Sequence, residues 1–185
     1  ELFEQFALPN TRGSSHGTSR ISRTTYINTR YVKMMQIALS QCWPRLEAEL
    51  GEQLLWPVEG CFFGPEDGLI QQYADAVVRA GAPVKAHSPK EARRRFPMFR
   101  FHDDDIVLDD NSAAVIAADR LISGLISLLK VRGVTLRPHT EVVGISQRDN
   151  EVSVSLRDQP EAIADKVIVT AGPWTSRLLP SLSHT

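Results

Sequence analysis

Thr11-Arg-Gly-Ser-Ser-His-Gly-Thr-Ser-Arg-Ile-Ser-Arg23 decides how the rest of the chain is read. Its thirteen positions hold two glycines, six hydroxyl side chains, one histidine and three arginines, with Ile21 the single aliphatic residue. A hydrophobic core has no use for that composition, so the stretch reads as a binding loop with the remaining chain as its scaffold. Gly and Ser let the backbone turn tightly and present N–H groups, while His16, Arg20 and Arg23 offer positive charge to an anion. In a helix those three lie at i, i+4 and i+7 and share a face. In an extended chain His16 and Arg20 face one side and Arg23 the other. The plain alternative is a solvated basic turn. Against it stands the Gly-Ser-Ser-His-Gly run placed soon after a strand, where N–H and hydroxyl groups can converge on phosphate.

That strand is Leu2-Phe-Glu-Gln-Phe6, a short apolar run closed by Pro9 and Asn10. At the far end, Lys166-Val-Ile-Val-Thr170 has the composition of a fully buried strand, and Ala171-Gly-Pro-Trp174 turns it into a helix. The stretch runs on to Leu182. A strand that ends in small residues before a helix is where open α/β sheets place phosphate or cofactor groups. Between these ends, three- and four-residue apolar spacing predicts a helix from about Thr29 to Leu50, with Gly51 as terminator and Pro44 imposing a kink or a junction of two helices. Leu54 to Gly64 reads as strand, bent at Pro57 and Gly60. Asp67 to Ala80 reads as helix, Val84 to His87 as strand, and Ser88-Pro-Lys-Glu91 opens a further helix that Pro97 stops. Ala117 to Arg132 is the most regular amphipathic helix, and Val134–Leu136, Glu141–Ser146 and Val152–Leu156 follow as short strands.

The chain has 185 residues, 42% of them hydrophobic and 23% charged, which excludes a disordered segment or a membrane-inserted one. A net charge of -1 leaves no overall basic field to draw nucleic acid, so any anion site must be local. Cys42 and Cys61 read as two buried, reduced thiols of an intracellular protein. The acidic run His102-Asp-Asp-Asp105 and Asp109-Asp110 around Ile106-Val-Leu108 lacks the glycine and spaced acids of a calcium loop. It reads as a solvated turn around a short strand, and no metal site is expected.

Phe3-Glu-Gln5, the run from Pro9 to Arg23, Asp110-Asn-Ser112 and Ile168-Val-Thr-Ala-Gly-Pro-Trp174 together resemble the monomeric sarcosine oxidase and pipecolate oxidase family of FAD-dependent amine oxidases. The match is co-linear across nearly the whole chain. The resemblance implies FAD as cofactor, with Glu4 on the ADP ribose, Ser14 and Ser15 near the phosphates, and Val142 touching the adenine end through its backbone. It implies Thr170, Ala171, Gly172 and Trp174 lining the flavin, and His16 and Arg20 as a basic pair on the flavin face opposite the substrate. Arg23 is similar to the arginine that pairs with the substrate carboxylate, a task suited to its planar two-pronged donor geometry.

The fold implied is α/β, part of a doubly wound FAD-binding domain plus part of an α+β substrate domain built on an antiparallel sheet. The expected division is 1–53 and 114–185 for the FAD-binding domain and 54–113 for the substrate domain. The reaction implied is oxidation of the C–N bond of a secondary amino acid of sarcosine or pipecolate type to an imine, with oxygen reduced to hydrogen peroxide. A dehydrogenase using another acceptor and an inactive truncated binding module are the alternatives. A glycine-rich G-x-G-x-x-G turn is expected before Leu2, and the family's covalent-flavin cysteine, oxygen-activating lysine and further substrate-binding residues after Thr185. This stretch alone is therefore expected neither to hold FAD tightly nor to turn over. The expected partners are an amino acid and molecular oxygen, with neither nucleic acid nor membrane, in a full-length monomer of the cytoplasm or peroxisome.

Overall fold

The computed structural model describes residues 1–180, with Arg148 by its backbone alone. In chain order the strands are β1 (Leu2–Phe3), β2 (Ser19–Ser22), β3 (Leu55–Pro57), β4 (Gly60–Pro65), β5 (Val84–His87), β6 (Asp105–Asp110), β7 (Ala114–Ala117), β8 (Leu136–Arg137), β9 (Val142–Arg148), β10 (Glu151–Leu156) and β11 (Ala162–Ala164). The helices are α1 (Thr29–Ile37), α2 (Trp43–Leu50), α3 (Ile70–Ala80), α4 (Pro89–Arg95), α5 (Ala118–Val131) and α6 (Thr175–Leu178). They divide into two compact units, Thr18–Ala118 and a second formed by Glu1–Gly17 with the chain from Asp119 onward.

The Thr18–Ala118 unit holds two antiparallel sheets, ordered β2-β7-β3 and β4-β6-β5. Strand alternation gives β6 two different faces. Val107 and Asp109 lie on the face shared with Cys61 and His87, where Ala92 of α4, Phe96 just after that helix and Phe101 close a small core. Leu108 and Asp110 lie on the face shared with Phe62 and Val84, and there α3 packs with α1 through Val32, Ala76 and Val77. Gly60 pairs with Asp110 where the chain passes from one sheet to the other. A Cβ there would stand 2.6 Å from the Ala113 Cβ and 3.0 Å from the Asp110 carbonyl oxygen, so only glycine fits.

The long helix expected over Thr29–Leu50 is one rod with a π-helical segment, Ala38–Cys42, between α1 and α2. Pro44 sits in the first turn of α2, and the wider turns before it absorb the missing donor. Gly51 and Gly81 close α2 and α3 with φ of 65° and 63°, a conformation that glycine adopts without strain. The helix expected at Ser88 carries a complete capping box, with Ser88 and Glu91 each satisfying the other's backbone N–H.

In the other unit β1 pairs in parallel with β8, and β9, β10 and β11 form an antiparallel sheet. The parallel pair is the part of an open α/β sheet that the described residues contain. No helix of the described residues is long and apolar enough to cross a membrane.

Four expectations are corrected. Lys166 to Thr170 forms no strand, and Ile168 is 87% exposed. A buried parallel strand needs a hydrogen-bonded neighbour on each side, and among the described residues no strand pairs with this segment. The part of that stretch past Pro180 lies outside the described residues. The acidic run is not uniformly solvated: Asp103 and Asp104 are exposed, but Asp105, Asp109 and Asp110 are buried, each accepting hydrogen bonds from nearby donors. Cys42 is exposed rather than buried, and Cys61 is half-buried; both are free thiols. Finally, the strand expected over Leu54–Gly64, bent at Pro57 and Gly60, is two strands that part between those residues and lie in different sheets.

Candidate functional site

The loop from Thr11 to Arg23 is shared between the two units: Thr11 to Gly17 falls in one and Thr18 to Arg23 in the other. In the first, Glu4 follows β1, whose neighbour β8 holds it in place through the Glu4 N–H donating to the Arg137 carbonyl at 3.1 Å. The Glu4 carboxylate accepts from the Phe6 N–H at 2.8 Å, and its carbonyl accepts from the Thr140 N–H at 2.8 Å. Phe6 then meets Trp174 edge-on at 5.9 Å, while the Arg12 guanidinium lies 4.5 Å from the Phe6 ring centre. Glu4 and Trp174, far apart in the chain, are thereby tied to one aromatic contact.

Ser14 and Ser15 sit exposed in a turn, and Gly17 takes a φ of 96°, open to glycine and strained for other residues. The His16 Nδ1 approaches the Gly13 carbonyl at 2.5 Å. Since a carbonyl only accepts, Nδ1 is the donor in this contact. Val142 begins β9 opposite Leu156. Ala171 precedes a 3₁₀ turn, Gly172–Trp174, in which Gly172 has a φ of 52° and open space where a side chain would be. Thr170 is exposed beside it.

In the second unit the loop is extended from Ser19 on, so alternation rather than a helical face governs its side chains. Arg20 pairs in register with Ile116 and donates to the Ser19 carbonyl at 2.7 Å. Arg23 follows β2 directly. Its guanidinium carbon lies 4.9 Å from the Phe62 ring centre and 5.2 Å from that of Tyr26. Phe62 in turn packs on Tyr73 of α3 at 4.8 Å. Among the described residues none forms a hydrogen bond or an ion pair with the Arg23 side chain.

The backbone after Arg23 is fixed by a buried carboxylate. Asp110 accepts from the Thr24 N–H at 2.8 Å, the Thr25 N–H at 3.0 Å and the Thr25 hydroxyl at 2.9 Å, and also from the N–H and hydroxyl of Ser112. Burial pushes the Asp110 carboxyl up; hydrogen bonds from Ser112, Thr25 and Thr24 outweigh it and hold the group below its ordinary value. On the opposite face of β6, Asp109 receives Arg95 at 3.1 Å and His87 at 3.3 Å. Burial, and then the Asp109 charge, push the neighbouring Cys61 thiol to about 11.

Residues 1–185 match the DAO family, described as FAD dependent oxidoreductase. The chain belongs to this family. Among its relatives, the peroxisomal sarcosine oxidase of Mus musculus is 34% identical over 180 residues, covering 96% of the chain and 45% of that protein. N-methyl-L-tryptophan oxidase of Yersinia pestis is 27% identical over 179 residues, covering 96% of the chain and 48% of that protein. The chain thus spans a little under half the length of these relatives. NikD, an amino acid oxidase of nikkomycin biosynthesis, has the same fold, with a TM-score of 0.76 at 23% identity over 97% of the chain and 47% of NikD. Glycine oxidase from Geobacillus kaustophilus gives 0.73 at 16% identity, over 95% of the chain and 49% of its own.

Sequence reasoning did not reach Phe62, Tyr26 or the role of Asp110. Asp110-Asn-Ser112 stood in the resemblance, but the charge run around it suggested solvent. The signal was the alternation of β6 together with Thr24-Thr25, two adjacent hydroxyl residues that a buried carboxylate can use. Phe62 carried no signal, because its contact with Arg23 depends on the pairing of β4 with β6.

Proposed function

We propose that this DAO-family chain is part of a flavin-dependent oxidase acting on a secondary amino acid of sarcosine or pipecolate type, forming an imine and reducing oxygen to hydrogen peroxide. One observation carries the substrate side of this reading. Arg23 is a half-buried cation seated against two aromatic rings, on backbone anchored by Asp110, with its N–H donors unspent among the described residues. A guanidinium in that state is suited to a carboxylate, which takes two parallel N–H bonds in the plane of the group. Binding there would fix which side of the α-carbon is presented for oxidation.

The cofactor residues fit a dinucleotide by the chemistry of their donors. Glu4 can accept from ribose hydroxyls, the Ser14-Ser15 turn offers exposed hydroxyl and N–H groups, and the open space at Gly172 lets a flat ring approach the backbone. When bound, FAD supplies the electron-accepting chemistry. His16 and Arg20 would place positive charge near it, Val142 would meet its adenine end, and Thr170, Ala171 and Trp174 would line its ring. On this reading the Glu1–Gly17 unit with the chain from Asp119 onward is the cofactor side. Thr18–Ala118 contributes Arg20 toward the cofactor and Arg23 toward the substrate.

The test is a peroxide-release screen of the full-length protein across secondary amino acids, with flavin absorbance measured on the same preparation. Flavin absorbance with peroxide from sarcosine- or pipecolate-type substrates supports the reading. Amine turnover without peroxide would replace the oxidase with a dehydrogenase, and protein without flavin would leave only a binding module. Association state and compartment, proposed as monomeric and as cytoplasmic or peroxisomal, are read by sedimentation and by localisation of a tagged copy.

A further inference from the structure

Arg23 stands between two backbone clamps, and both come from one turn. Before it, β2 ends at Ser22, which pairs with Ala114 of β7. After it, the Thr24 and Thr25 N–H groups both donate to the same oxygen of Asp110, at 2.8 and 3.0 Å. Asp110 closes β6 and Ala114 opens β7, so residues 110–114 reach Arg23 from both sides. The turn is itself fixed: the Asn111 N–H donates to the Pro83 carbonyl at 3.2 Å, and the Ala113 carbonyl accepts from the Val58 N–H at 2.9 Å. The second Asp110 oxygen accepts from the Ser112 N–H at 2.9 Å, and the Thr24 hydroxyl meets that of Ser112 at 2.8 Å. Thr24, Thr25 and Asp110 are all buried. This junction requires a carboxylate, because both of its oxygens face donors and an ionised carboxylate only accepts. An amide of the same size would turn its NH2 against the Ser112 N–H in one orientation and against those of Thr24 and Thr25 in the other.

We propose that Asp110, acting through Thr24 and Thr25, is a positioning residue of the substrate site: it sets the backbone from which Arg23 reaches the substrate. The same turn keeps Arg23 in register with Arg20, which β7 holds opposite Ile116. The proposal rests on the reading of Arg23 as the carboxylate binder and adds that a turn far along the chain governs how well it binds. Arginine carries its guanidinium at the end of a long side chain, so a small rotation of its backbone displaces the donors by more than a two-pronged bond tolerates. Asp109 supplies the contrast. It is the neighbouring buried acid of β6, and its hydrogen bonds go to Arg95 and His87 on the opposite face.

The test compares variants of the full-length, flavin-loaded protein on an amino acid and on the matching amine without a carboxylate. Asp110→Asn is expected to lower kcat/KM for the amino acid about tenfold more than for the amine, mainly through KM, as misplacement of a binding group does. Thr25→Val removes the hydroxyl that donates to Asp110 at 2.9 Å and should shift the same ratio about threefold, with Thr25→Ser restoring it. Asp109→Asn should lower the urea midpoint and leave the ratio alone. Protection of Arg23 by propionate against phenylglyoxal, followed by peptide mass spectrometry, reads the same effect without turnover: Asp110→Asn should need about tenfold more propionate. In an Arg23→Ala background Asp110→Asn should no longer change the ratio, because its effect passes through Arg23. If Asp110→Asn fails to fold by near-ultraviolet circular dichroism, Thr25→Val and Thr25→Ser decide. A ratio unmoved by Asp110→Asn, moved equally by Asp109→Asn, or still moved in the Arg23→Ala background overturns the positioning role while the carboxylate reading stands. An equal loss for both substrates in Arg23→Ala alone overturns the carboxylate reading itself.

Discussion

Helices α3 and α5 carry apolar faces of similar regularity, yet they meet different fates. In the Thr18–Ala118 unit α3 buries Ile70, Ala76 and Val77, with Ala76 fully removed from solvent. In the other unit the α5 face, Leu121, Ile122, Leu125, Ile126, Leu128 and Leu129, is only half-buried throughout. Apolar stretches differ in the same way: Val107 of β6 is fully buried, while Ile168, in a stretch that forms no strand, is 87% exposed. A periodic pattern specifies the element and the side that wants cover. What covers it is decided by tertiary partners, and these the pattern does not name.

This contrast can be broken or sharpened by substitution. The largest effect is expected at Asp110, where removal of the carboxylate leaves several buried donors of Thr24, Thr25 and Ser112 without an acceptor. Asp110→Ala should cost about 3–5 kcal/mol of the stability of the Thr18–Ala118 unit, read as a shift of the urea midpoint. Gly60→Ala is expected next, at about 1–3 kcal/mol, because its Cβ would press on Ala113 and the Asp110 carbonyl and the neighbours would have to shift.

Acid should act on the same carboxylate more mildly, since a protonated Asp110 remains in place as a hydrogen-bonding group. Its folded-state value lies below the unfolded value, for which 3.8 is the reference. The contribution is therefore complete above that pH and is lost as pH falls through the lowered folded value. Asp110→Asn should flatten this part of the stability profile, followed by circular dichroism from neutral pH down to strongly acidic conditions. The smallest effect belongs to the other unit. Ile168→Ser should change stability by less than about 0.5 kcal/mol, as expected of an exposed position. A loss of several kcal/mol there would restore the buried strand that the composition suggests.

Much of the fold was legible because local chemistry determined it. The Ser88 to Glu91 capping box, the glycines that close α2 and α3, and the alternation of β9 and β10 all depend on near neighbours in sequence. The π-helical segment before Pro44 was legible as a disturbance, though not as a type. Strand β2 escaped notice because Ser19-Arg-Ile-Ser22 becomes a strand only by pairing with β7, which lies far along the chain. The candidate site divides along the same line. Glu4, Ser14, Ser15, His16, Arg20 and Arg23 were reached through one contiguous loop and the strand before it. The rings that hold Arg23, and the carboxylate that anchors the residues after it, come from strands β4 and β6 and the residues that lead into α1.

The central claim is that Arg23 receives a substrate carboxylate. It is tested most directly by comparing kcat/KM of the full-length protein and its Arg23→Ala variant for an amino acid and for the matching amine without a carboxylate. Loss of charge-assisted hydrogen bonds to one substrate alone predicts a fall of about 100-fold for the amino acid, carried mainly by KM, with the neutral amine nearly unchanged. An equal fall for both substrates would contradict the assignment.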